Sequence, residues 1–87
     1  MKVHEFETLV QKLGLVTRDS RDRLAWFEHQ GKIVTRTKRS HGRGDLPGHL
    51  IRQQLKLNDE ELSGILGCKL YRSDYLQILN RKGLLLA

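Results

Sequence analysis

The chain has one cysteine in 87 residues, which excludes an internal disulfide and a cysteine-rich zinc site. Cys68 reads instead as a small residue packed near a helix end, in a chain suited to a reducing cytoplasm. No apolar run approaches the ~18 residues of a membrane span. The opening Met1-Lys2-Val3-His4-Glu5 is no apolar signal segment. Internal repeats, low-complexity tracts and linkers are also missing. The four histidines and the cysteine lack the close spacing of a metal site, so neither metal nor cofactor is expected. One further shortage is local: from Lys32 to Arg43 there is no acidic residue at all.

What is present points to one small soluble domain, with 38% apolar and 30% charged residues. A chain of this length buries only ~60–65% of its unfolded surface, so a homodimer would add useful burial. The net charge of +6 favours polyanionic partners: nucleic acid first, an acidic protein second, an anionic membrane third.

Val3, Phe6, Leu9, Val10 and Leu13 recur at helical spacing, which predicts a helix over 3–13 that ends at Gly14. A short extended piece, 15–18, follows. Residues 23–29 alternate as a strand, with Leu24, Trp26 and Glu28 on one face and Arg23, Ala25, Phe27 and His29 on the other. Gln30-Gly31 forms a tight reversal. Residues 32–39 return, with Ile33, Thr35 and Thr37 on one face and Val34, Arg36 and Lys38 on the other. Asp45 caps a helix reaching Lys56, with Pro47 in its first turn and Leu50, Ile51 and Leu55 inward. Asn58 and Glu61 form a capping box for a helix over 59–66, closed by Gly67. Ser73 or Asp74 caps a last helix through Arg81, stopped by Gly83.

The order α-β-β-β-α-α-α implies an α+β domain, a three-stranded antiparallel sheet with helices on one face. The other face is then open to solvent, to a partner chain or to RNA. Trp26 and Phe27 point to opposite faces. The expectation is a core Trp26 and a half-covered Phe27, with the outward ring closing a dimer rather than stacking a base.

The acid-free segment carries Lys32, Arg36, Lys38, Arg39 and Arg43, and ends in Ser40-His41-Gly42-Arg43-Gly44 before the capped helix. This clustering predicts a phosphate-contacting patch. Gly42 and Gly44 would let the backbone approach a phosphate.

The first helix ending in Gly14-Leu15-Val16, the hairpin closed by Gly31-Lys32, the basic strand running to Arg39-Ser40-His41, and the helix closing with 51–57 together resemble the HicA family of toxins from prokaryotic toxin–antitoxin pairs. The resemblance covers about residues 4–57. It implies a double-stranded-RNA-binding-like α-β-β-β-α core; the two extra C-terminal helices over 58–87 are not part of the family pattern. It also implies a cytoplasmic, metal-independent mRNA endoribonuclease and a separate antitoxin partner. The family's cutting histidine lies on the strand before the hairpin turn, and matching the hairpins puts Arg23, or Asp22, there. An arginine stays protonated and cannot act as a general base. His41 matches the histidine after the basic strand, so cutting would rest on it as acid or base. Arg36, Lys38, Arg39 and Arg43 would hold the phosphate.

His29 and His49 are candidate partners of His41, whereas His4 is a surface residue. Residues 59–79 also have a helix-turn-helix spacing around Gly67. Ser73-Asp74 makes a weak base-reading start to its second helix, so packing onto the domain or docking an antitoxin fits better. Two other readings remain open for the whole chain: a nucleic-acid-binding module without catalysis, and a component whose basic face docks an acidic antitoxin.

Overall fold

The computed structural model describes residues 1–41 and 45–85. The elements are α1 (Val3–Leu13), β1 (Val16–Asp19), β2 (Asp22–His29), β3 (Lys32–Ser40), α2 (Gly48–Gln54), α3 (Asp59–Leu66) and α4 (Arg72–Arg81). They form the α+β arrangement that the hydrophobic patterning predicts, with antiparallel strands in the order β1-β2-β3.

Local chemistry sets most boundaries. The Lys2 N–H donates to the Glu5 carboxylate at 2.7 Å at the start of α1. The helix ends at Gly14, whose φ of 64° lies in the left-handed region. A Cβ there would also come within 2.6 Å of the Arg72 guanidinium. That guanidinium donates to the Leu13 and Gly14 carbonyls at 3.0 and 3.2 Å, so α4 caps the end of α1. Lys12 does the same for α3, donating to the Ile65 carbonyl at 2.8 Å. The Asn58–Glu61 capping box is formed in both directions, at 2.7 and 2.8 Å. In the hairpin, Gln30 and Gly31 both take positive φ, 53° and 79°, as a two-residue turn of the primed kind requires.

Several boundaries and faces differ from the sequence expectation. Asp45 does not cap α2, which starts later with Pro47 ahead of it. The Asp45 carboxylate pairs instead with Lys2 at 2.8 Å, while the Met1 and Leu46 backbones bond to each other. Leu50 is exposed. Tyr71 precedes α4, and Asp74 accepts the Tyr71 N–H at 2.9 Å from within the first turn. Cys68 is exposed rather than packed, and it takes the left-handed φ of 64° after α3 that a glycine would ordinarily take.

The largest correction concerns β3. Phe27 pairs with Thr35, but the next residue, Glu28, pairs with Ile33, so Val34 is an extra residue in a β-bulge. The bulge reverses the alternation beyond it. Ile33 therefore turns to the open face, 52% exposed, and Val34 packs against the core.

The helices cover the sheet face carrying Ala25, Phe27, Thr35 and Thr37, all buried. Phe27 is fully enclosed, with its ring edge-on to Tyr75 at 4.9 Å between centroids. Trp26 is the outward aromatic, the reverse of the sequence expectation. The Tyr75 hydroxyl donates to the Leu55 carbonyl at 2.9 Å, so Thr35 Oγ1, 2.7 Å away, must donate to it. This buried chain ties α4, the sheet and the end of α2 together, and burial pushes the Tyr75 hydroxyl up to about 12. Ile65, Tyr75, Ile78 and Leu79 belong to the same core as Phe6, Leu9 and Leu13, so residues 58–85 help build the domain's interior. Among the described residues, no helix is long and apolar enough to cross a membrane.

Candidate nucleic-acid interface

Arg23, Arg36, Lys38 and Arg39, all on one side of the bulge, divide between the two faces of the sheet by strand parity. Arg23 and Arg39 are cross-strand partners and both turn toward the helices. Their side chains are only 19% and 13% exposed. Glu7, on α1, lies against both. Arg23 forks onto it with Nε and Nη2 at 2.8 and 2.7 Å, and Arg39 reaches it at 3.3 Å. Arg23 also meets Asp19 at 3.2 Å, and the Arg39 guanidinium lies 5.6 Å from the centre of the Phe6 ring. Hydrogen bonding from Arg23, with a smaller share from Arg39, holds the Glu7 carboxyl below its ordinary value. The same bonds raise Arg23 further above neutrality, so it stays a cation. Arg23, which the resemblance would put at the cutting position, is therefore held among carboxylates. Arg39, expected to hold phosphate, shares Glu7 with Arg23 at the longer distance of 3.3 Å.

The opposite face is built differently. The registers Val16↔Trp26↔Arg36 and Arg18↔Leu24↔Lys38 place two rows across all three strands. The indole N–H of Trp26 donates to Glu28 at 2.9 Å, which fixes the ring against the sheet. Lys38 meets Asp22 at a long 3.5 Å and is 61% exposed. Among the described residues, Arg18 and Arg36 form no ion pair; nor does Lys32, which the bulge turns to the helix side with its partner His29. Leu24, Trp26, Ile33, Arg36, Lys38 and Gln54 line a shallow concavity of about 390 Å³, with Gln54 at the β3 edge, where its Oε1 accepts from Thr37 at 2.7 Å. The face thus carries Trp26 with Arg36 on one side, Arg18 and Lys38 one step along, and the carboxylates of Glu28 and Asp22 at either end of the middle strand.

His41 is exposed directly after β3. His29 lies at the other end of the β2–β3 ladder, roughly 25 Å away along the strand, so the two cannot act together. The His49 ring nitrogen Nδ1 shares a 2.9 Å hydrogen bond with Arg52, which also pairs with Asp59 and the Leu57 carbonyl. His4 is exposed. Gly42, Arg43 and Gly44 lie outside the described residues. Among the described residues, no three His, Cys, Asp or Glu side chains group closely enough to hold a metal ion.

Arg18, Val16 and Gln54 were not among the sequence candidates. Alternation along β1 would have linked Arg18 to the Leu24 row, but a four-residue strand shows too little of the pattern. The position of Gln54 depends on how α2 meets the edge of β3. No family model, no curated protein and no solved structure matches the chain.

Proposed function

We propose that this protein binds RNA through the open face of its sheet and the end of β3, as a divergent relative of the HicA-type toxins. The observation that carries the reading is the unequal treatment of arginines on one sheet. Arg23 and Arg39 share the Glu7 carboxylate, whereas Arg18 and Arg36 face solvent with no ion pair among the described residues, Arg36 opposite Trp26 and Arg18 opposite Leu24. Cations that fold stability does not require are available to phosphates. The α-β-β-β-α order of the first 54 residues, with helices on one side, is what a double-stranded-RNA-binding-like core would have.

Binding without cutting is the reading preferred here, because the strand position that would hold the cutting histidine carries Arg23, engaged by Glu7 and Asp19. A second reading, metal-independent cleavage by His41, is favoured by that residue's exposure at the end of the basic strand. Gel shift and product analysis with labelled RNA at low salt separate the two. Retarded, intact RNA supports binding alone. Fragments that disappear with His41→Ala support cleavage. An RNA that neither shifts nor breaks removes the proposal and leaves the basic face for an acidic protein such as an antitoxin.

A further inference from the structure

We infer that a base of single-stranded RNA stacks on the Trp26 indole, with the neighbouring phosphates held by Arg36 on one side and Arg18 on the other. The inference rests on the RNA-binding reading and names the site and the strand state it takes. Trp26 occupies the middle strand, with Val16 and Arg36 as its lateral partners; Arg18 and Lys38 flank Leu24 one step along. An apolar floor in the centre and cations on both outer strands suit a chain whose bases are apolar on their faces and whose backbone is anionic. A duplex hides those faces within its own stack, so only an unpaired base could use the indole.

The ring is also prepared for this use. Its N–H is already satisfied by Glu28, so stacking leaves no unpaired donor and orders no new side chain. The long Lys38–Asp22 contact is exposed and weak, and a phosphate can displace the carboxylate from Lys38. A second copy of this chain suits the face less well. A two-fold contact through Trp26 would set the Arg18–Arg36 rim against the same rim of its partner, like charge on like.

Trp26 is the chain's single tryptophan, so its fluorescence reports this site alone. Titration with a short oligouridylate at low salt should quench the emission in step with the gel shift. Trp26→Phe should bind nearly as well. Trp26→Ala, checked for folding by circular dichroism, should bind roughly 5- to 100-fold more weakly, the loss of one stacked base. Arg36→Ala should lower the slope of log affinity against log salt by about 1. The inference is overturned if RNA shifts in the gel while the emission is unchanged and Trp26→Ala binds like the parent; RNA binding then stands and resides elsewhere. Equal competition by duplex RNA overturns it too. So does a blue shift that grows with protein concentration, without RNA, alongside a dimeric mass, which gives the face to a second copy. Absence of any shift at low salt defeats the broader reading along with it.

Discussion

Arg23 and Arg36 stand on neighbouring strands of one small sheet, yet their surroundings have almost nothing in common. Arg23 meets two carboxylates and is largely covered; Arg36 meets none among the described residues and lies in solvent. The helix-side arginine contributes to holding α1 against the sheet. The arginine on the open side contributes little to the fold. Charge alone therefore does not distinguish a cation engaged by the fold from an unengaged one; the partner placed beside it does.

Substitutions on the two faces should separate along the same line. Phe27→Ala should have the largest effect, removing about 3–5 kcal/mol from the urea-unfolding free energy, because the ring is fully enclosed against Tyr75. Tyr75→Phe should cost about 1–3 kcal/mol, since it strands the Leu55 carbonyl and the Thr35 hydroxyl in the interior. It should also remove an alkaline loss of stability. The Tyr75 hydroxyl is raised in the folded state, so stability is full below the ordinary tyrosine value of 10.0 and falls as pH rises toward about 12. Glu7→Gln should cost about 1–2 kcal/mol, less than a fully buried pair because all three groups keep some water. The Glu7 carboxyl is depressed in the folded state, so its contribution is present above the ordinary carboxylate range. That contribution fades as pH falls through the depressed value, and Glu7→Gln should flatten this acid limb of the stability curve. Arg36→Ala should change stability by no more than about 0.5 kcal/mol while weakening RNA binding. A stability loss at Arg36 as large as that at Glu7 would erase the distinction between the faces.

Much of this arrangement is written in short-range signals. Gly14 at a helix end, Gln30-Gly31 between two alternating runs and the Asn58–Glu61 pair each act within a few residues, and each is found where the chain predicts it. The features that short-range signals do not show depend on distant partners. Trp26 and Phe27 alternate equally well in either sense, and what buries Phe27 is Tyr75, far along the chain. Nothing near Ile33 signals the bulge that turns it outward. Arg39 looks like its neighbours Arg36 and Lys38 in a basic run, and only the arrival of Glu7 on α1 separates them. The exposed row on the sheet became visible only once β1 was in register, because four residues carry too little alternation to identify a face.

The hydrogen-bonded link from Thr35 through Tyr75 to Leu55 has a consequence for how the protein is made. The ring that closes over Phe27, and the Ile78 and Leu79 side chains beside it, belong to the last helix. A ribosome that has delivered every strand has not yet delivered the material that shuts the interior. Until α4 emerges, the nascent sheet carries apolar side chains on both sides. The open face of the sheet is thus among the first parts synthesised and among the last to acquire a rigid support.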